Sequence, residues 1–407
     1  MKGLVEAYRA LSDIYLKKSW ISEAVKRQGA AILSEKGSYR LVYGVVEHDR
    51  LYEYRITRFA EKAPKPAIKI LLKMGMYLLD ESSLPPYAAV NSIAETAKAV
   101  GKGGVCGFLN AFLRRYSLEG KDCDPMDPLQ LLSVRSNLPV WLVRRYLTEL
   151  GEDEARKRLT VPRTARTHIR PSVSFGKDAL AADLKERGVS CEETKYGFYI
   201  GEVSAIADLL KDGKATVMSW GSMEICAAAP RPTGKILDLC AAPGGKSVLL
   251  AERFGAEVIA CDRYPHRVEL IRKYAARMGV KGIECLVADS RLLREEWKEA
   301  FSLVLLDAPC SGLGSLASNP DVALNRREED LAEIVKTQKE LLATAGEYVS
   351  SGGVLLYATC SDLPSEDGDV VRSFLEGNPD FSLEKEKYTD PEEGGGESYY
   401  YAVLRKR

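Results

Sequence analysis

Cys310 and Cys360 stand 50 residues apart, each just beyond a short apolar run, in the turn-like settings Asp307-Ala-Pro-Cys310-Ser-Gly312 and Thr359-Cys360-Ser361. A thiol at the end of a strand meets solvent and substrate, and as a thiolate it is a strong nucleophile. Most cysteines are buried hydrophobes instead, and that reading is preferred for Cys106, Cys191, Cys261 and Cys285. Upstream, Cys240-Ala241-Ala242-Pro243-Gly244-Gly245-Lys246 forms a Gly-rich turn between an apolar run and a helical stretch. Glycines let a backbone approach a ligand closely, and a helix N-terminus favours a negative group. The turn has neither the spacing of a dinucleotide fingerprint nor that of a P-loop. Asp262, Asp289 and Asp307 each close a further apolar run, and an acid after the second strand can accept hydrogen bonds from ribose hydroxyls. Three such carboxylates in register beside a Gly-rich turn mark one ligand-binding rim.

The elements that must position these residues follow from periodicity. Apolar runs of strand length at 235–240, 257–261, 282–288, 301–307 and 352–360 alternate with helical stretches such as 266–279 and 328–349. This alternation predicts a parallel sheet covered on both faces, with ligands beyond the carboxyl ends of its strands. The final SYYYAVLRKR predicts a late antiparallel edge strand. Residues 1 to about 120 read as helical throughout, punctuated by Pro64, Pro66, Pro85 and Pro86, and 118–128 reads as a linker. Helices continue from Leu129, followed by strand-like pieces at 167–173 and 196–201 around a helical 177–188, with eight arginines between Arg135 and Arg170. The expected division is therefore 1–124, 125–228 and 229–407.

Net charge is zero, yet residues 1–200 hold 33 Lys/Arg against 24 Asp/Glu and the remainder 25 against 34. A basic front and an acidic back fit a chain that grips a polyanion with one end. The nine cysteines form no CxxC pair and there are three histidines, so no metal site is expected, and scattered thiols suggest a reducing, cytoplasmic compartment. The N-terminus shows helical spacing with Glu6 and Asp13 among its apolar residues and does not read as a signal peptide. No uncharged apolar run reaches the roughly 18 residues of a membrane span.

The combination LDLCAAPGGKS, CD, AD, DAPCSGLGS with NPD, and YATCS resembles the RNA cytosine-C5 methyltransferase family of the Sun/Fmu type. The front, YLLDESSLPPYAAVNSIAETAK with GFLNAFLRR, is similar to the NusB-type helical RNA-binding domain fused to bacterial 16S ribosomal RNA members, and SNLPVWLVRRYLTELG to their intermediate RNA-binding module. The resemblance implies a multidomain chain: an all-α NusB-like N-terminal domain, a small α+β middle module, and a C-terminal α/β, Rossmann-like class I methyltransferase domain. It implies S-adenosyl-L-methionine as methyl donor, held by Cys240 to Lys246, with Asp262 on the ribose, Asp289 on the adenine edge and Asp307 near both cofactor and base. It gives Cys360 the nucleophile position and Cys310 the position that assists product release. The implied substrate is RNA, rRNA foremost, and a monomer is expected. The chain departs from the family pattern at Asp362–Gly368, where Glu366 keeps the first acid of a Glu-Asn-Glu triplet, at VMSWGSMEIC (217–226), which lacks a Gln-Asp pair, and at Glu397-Ser398, in place of Asp-Gly. These departures bear on substrate positioning. Rival readings are a tRNA cytosine-C5 methyltransferase, a non-catalytic RNA-binding assembly factor, and a nicotinamide-dependent dehydrogenase, the last disfavoured by the missing fingerprint.

Overall fold

The computed structural model describes residues 2–29, 36–120, 124–163 and 165–407. Part of the expected linker, residues 121–123, lies outside the described residues, and Cys123 with it. By compactness the chain divides into two units, Met1–Thr160 with Asn319–Arg326, and Val161–Ser318 with Arg327–Arg407.

The first unit is helical, as the periodicity predicts. Helix Pro66–Glu81 is its centre, with Ile70 to Met76 all buried; a helix apolar on every side must be surrounded by others. The one cation in that stretch, Lys73, is neutralised by Asp49 and by Glu53, the latter at 2.7 Å. Helices Pro128–Ser136, Val140–Leu150 and Glu152–Thr160 also lie in this unit rather than with the residues that follow. Asn137 ties them there: its amide donates to Val46 O at 2.8 Å and accepts from Arg50 N at 2.9 Å. Asn319–Arg326 belongs to the same unit, because the Asp321 carboxylate accepts from Ile21 N at 2.6 Å and Leu324 joins the helical core.

The second unit carries two sheets. A small antiparallel one contains β1 (Thr167–Pro171), β2 (Cys191–Glu193), β3 (Phe198–Ile200) and β4 (Ala215–Val217) in the order β2-β3-β1-β4. Helix Lys177–Glu186 packs on it. Strands β2 and β4, three residues each, are too short to leave a periodicity. The larger sheet holds β5 (Ile236–Asp238), β6 (Val258–Asp262), β7 (Ile283–Val287), β8 (Phe301–Asp307), β9 (Val349–Thr359), β10 (Phe381–Tyr388) and β11 (Tyr400–Lys406). Their order is β10-β11-β9-β8-β5-β6-β7, parallel from β9 to β7.

Both faces of this sheet are covered, because successive side chains alternate between them. Val304, Leu306, Leu355 and Tyr357 meet helices Glu328–Tyr348 and Gly368–Gly377 on one side. Leu303, Leu305, Val354 and Leu356 face the opposite way, with helices Trp220–Ala228 and Gly245–Phe254. The expected edge strand β11 is instead interior, antiparallel to both β9 and β10. Its alternate residues bury on both faces, Tyr400 and Leu404 against one core and Tyr401 and Val403 against the other. The edge on that side is β10, whose FSLEKEKY is largely exposed; a charged edge discourages further pairing and hides the strand from a reading based on apolar runs.

Order reverses at β5, whose neighbours are β6 on one side and β8 on the other. The crevice for a ligand therefore opens at the carboxyl ends of β5 and β8. The small sheet is fastened beside it. Buried Arg170 on β1 pairs with Glu252 at 2.7 Å, and Arg277 donates to Thr216 Oγ1 at 2.8 Å.

Candidate active site

At the end of β5, Asp238 is fully buried. Its Oδ2 accepts from Ser247 Oγ at 2.5 Å, and its Oδ1 is buried with no hydrogen-bond partner among the described residues. Burial first, and the neighbouring Asp307 carboxylate after it, push its carboxyl up to about 7. The turn from Cys240 to Lys246 then doubles back: Ala241 N donates to Cys261 O at 2.8 Å and Gly244 N to Ala241 O at 2.7 Å. Gly244 has φ +108°, and a Cβ there would press on Ile271 Cα at 3.1 Å; this close helix–turn contact is what requires glycine. Helix Gly245–Phe254 starts directly after it. A cavity of about 190 Å³ opens here, lined among others by Met218, Asp238, Ala242, Gly245, Lys246 and Asp307. Cys240, Ala241 and Pro243 line it too.

The loop 217–222, which lacks the family's Gln-Asp pair, still forms a wall through Val217, Met218, Ser219 and Ser222. Ser219 caps helix Trp220–Ala228 by accepting from Ser222 N, work that an Asp would do equally well.

Asp262 and Asp289 lie at the ends of β6 and after β7. Asp262 is buried, accepts from Tyr264 N at 3.1 Å and faces Arg267 at 3.4 Å. Asp289 is gripped by Arg291 through Nε at 3.0 Å and Nη2 at 2.7 Å, which holds its carboxyl down at about 2. Neither lines the 190 Å³ cavity; they extend the same rim away from β5.

On the other side of β5, Asp307 ends β8 and accepts from Lys246 Nζ at 2.6 Å. Burial alone would pull the Lys246 ammonium down, yet Asp307 holds it above the ordinary lysine value. The pair puts a fixed positive and a fixed negative charge at the mouth of the crevice.

Because β8 and β9 are parallel neighbours in register, Asp307 beside Ala358, the loops that follow them meet. Cys310 Sγ and Cys360 Sγ are 2.9 Å apart, and Cys360 N donates to Cys310 Sγ at 3.3 Å. The hydrogen bond to Cys360, and burial after it, push the Cys310 thiol well above its ordinary range; either sulfur can be the donor in the bond between them. Gly314 pins this arrangement: its N–H donates to Cys360 O at 2.9 Å and its carbonyl accepts from Ser398 N at 2.8 Å. Of the other cysteines, Cys261 is buried as expected and Cys106 and Cys285 are half-buried. Cys191 is exposed, contrary to expectation, because β2 is an edge strand with its side chains in solvent.

The sequence reading gave no role to Asp238, Ser247 or Gly314. An acid inside the apolar run KILDLC was the available signal for the first; the other two stand inside the motifs LDLCAAPGGKS and DAPCSGLGS with no chemistry of their own to single them out.

The chain matches two family models, 16S rRNA methyltransferase RsmB/F over residues 225–403 and the NusB family over residues 5–117. A "Probable ribosomal RNA small subunit methyltransferase B" of Bacillus subtilis is 30% identical, with 94% of this chain and 88% of that protein covered. The ribosomal RNA small subunit methyltransferase B of Xylella fastidiosa strain 9a5c is also 30% identical, with 90% of each covered. Among solved structures, PH0851 superposes with a TM-score of 0.82 at 24% identity over 99% of both chains. NSun6 from Pyrococcus horikoshii, solved with SFG, gives 0.57 at 19% identity over 66% of this chain and 98% of its own. Fold and family together define an RNA methyltransferase joined to a NusB-type helical domain. The chain belongs to the ribosomal RNA small subunit methyltransferase B family.

Proposed function

We propose that this protein methylates C5 of a cytosine in 16S rRNA, with S-adenosyl-L-methionine as donor and Cys360 as the nucleophile. The observation that carries the reading is the pair of thiols at 2.9 Å on the rim beside the Lys246–Asp307 pair. The 190 Å³ cavity suits the amino-acid end of the donor: the unmatched Asp238 Oδ1 answers an ammonium, and the start of helix Gly245–Phe254 a carboxylate. Asp262 would hold the ribose and Asp289, with its Arg291 partner, the adenine edge. When bound, the donor supplies an electrophilic methyl group on a sulfonium.

Cytosine C5 is too electron-poor to take that methyl unaided. Cys360, as thiolate, adds to C6 and forms the S–C6 bond, so that C5 becomes an enamine-like nucleophile. Negative charge developing on the ring would be stabilised by the Lys246 ammonium, which Asp307 holds in place at 2.6 Å, in a site that needs no reorganisation. After C5 is methylated its proton passes to a base, the S–C6 bond breaks, and Cys360 leaves as thiolate. Cys310, hydrogen-bonded to the Cys360 sulfur, is placed to assist that elimination. The RsmB/F match and the rRNA methyltransferase relatives support rRNA as substrate. The test is bisulfite sequencing of total RNA from cells with and without the gene: one 16S cytosine is expected to lose protection, and unchanged protection throughout overturns the reading.

A further inference from the structure

We infer that Glu366 is a positioning residue for the two thiols: its buried carboxylate ties the Cys310 loop to the Cys360 loop. The inference rests on the cytosine-C5 reading for its consequence and on geometry alone for its content.

Glu366 has no exposed surface. Its Oε2 accepts from Ser311 N, the residue after Cys310, at 2.7 Å, and its Oε1 accepts from Ser361 Oγ, the residue after Cys360, at 2.9 Å. Gln338 braces the same point, donating to Pro309 O at 3.1 Å and to Glu366 Oε2 at 3.5 Å. One carboxylate thus bridges two loops that are 50 residues apart in the chain, bonding the residue that follows each cysteine. The next residue continues the brace: Thr359 Oγ1 donates to Asp367 Oδ1 at 2.5 Å and accepts from Ser361 N at 3.2 Å. Cys360 is therefore held from both sides, through Thr359 and through Ser361.

The charge matters as well as the reach. The titratable groups around the sulfurs are Glu366, with Asp362 and Asp367 nearby on its own loop, Tyr357 on β9 and Tyr399 before β11. A buried negative charge beside a thiol disfavours its ionisation, and Glu366 adds to the rise at Cys310.

The test compares wild type with Glu366→Gln, which keeps the shape and removes the charge, and with Ser361→Ala, which removes one hydroxyl and keeps the charge. Each full-length protein is alkylated with iodoacetamide between about pH 6 and 9, and labelling of the Cys310 and Cys360 peptides is quantified. Removing one like charge lowers a thiol pKa by about one unit, so Cys310 labelling in Glu366→Gln should rise about tenfold. In Ser361→Ala it should stay at the wild-type value. In methyl-transfer assays kcat should fall by about 10- to 100-fold in Glu366→Gln and several-fold in Ser361→Ala, with KM for S-adenosylmethionine unchanged in both. Wild-type Cys310 labelling and wild-type kcat in Glu366→Gln overturn the inference. So does a loss of kcat in Ser361→Ala that comes only with weaker cofactor binding. Labelling needs no RNA, so a wild-type enzyme that makes no 5-methylcytosine would refute the proposed reaction while leaving this test readable.

Discussion

Replacing Gly314 by Ala should cripple catalysis without touching the cofactor cavity. A Cβ at Gly314 would overlap the Ser398 carbonyl oxygen and come within 3.1 Å of Cys360 O. Both obstacles are backbone, so neither can swing aside as a flexible side chain would. Relief requires loosening the Gly314 N–Cys360 O and Ser398 N–Gly314 O hydrogen bonds, at 2.9 and 2.8 Å. Overpacking of this kind costs about 1–3 kcal/mol, and each of the two weakened bonds about 1 kcal/mol, for a total near 3–5 kcal/mol. For a domain of this size that lowers the melting temperature by about 6–20 °C. Because the displaced atom is the carbonyl of Cys360 itself, a shift of about 1 Å should cost on the order of 100-fold in kcat. Gly314 does not line the 190 Å³ cavity, so the dissociation constant for S-adenosylhomocysteine by calorimetry should stay within about twofold. Gly107, in helix Cys106–Glu119 with nothing within 4 Å of its would-be Cβ, is the control; Gly107→Ala should be neutral or stabilising by about 0.5–1 kcal/mol. Wild-type melting and wild-type turnover in Gly314→Ala would refute the claim that this contact holds Cys360.

Three further outcomes are expected. Asp262→Ala removes charge-assisted hydrogen bonds worth about 1.5–3 kcal/mol and should weaken S-adenosylmethionine binding by roughly 10- to 150-fold; an unchanged constant in calorimetry assigns the ribose elsewhere. Asp238 sits at about 7 and must be ionised to accept an ammonium, so cofactor affinity should rise about tenfold between about pH 6 and 8, and Asp238→Asn should bind weakly with a flat profile. Full-length protein should bind 16S rRNA fragments less tightly as salt rises, through counterion release. The slope should be modest for so many arginines, because Arg145, Arg156, Arg158, Arg166 and Arg170 already pair with glutamates; a slope matching all eight as phosphate contacts would show those pairs open on RNA.

The parallel sheet was legible because buried parallel strands are written as continuous apolar runs, and FSLVLLD coincides with β8 residue for residue. Strand β10 was not, because an edge strand alternates with charge, and the interior place of β11 was not, because strand order is a property of pairing rather than of any one segment. The same limit applied at the site. Cys310 and Cys360 could each be placed at a strand end, but their meeting depends on β8 and β9 being neighbours. Asp238 lies inside an apolar run in the sequence, and only the fold shows that it lines the cavity with a buried oxygen that has no hydrogen-bond partner among the described residues. Arg170 counted toward the basic surplus of the sequence, whereas in the fold it is a buried partner of Glu252. Charge totals count side chains, and only the fold says which of them are already neutralised.

The division of labour between the two thiols is the central claim, and trapping the RNA adduct tests it most directly. Cys310→Ala, Cys360→Ala and wild type would be incubated with S-adenosylmethionine and a 16S rRNA fragment, then run on denaturing gels and weighed by intact mass spectrometry. If Cys360 adds to C6 and Cys310 assists elimination, Cys310→Ala accumulates a protein–RNA conjugate carrying the methyl group, while Cys360→Ala forms none. A conjugate that appears with Cys360→Ala and is absent with Cys310→Ala would reverse the two roles and contradict the account.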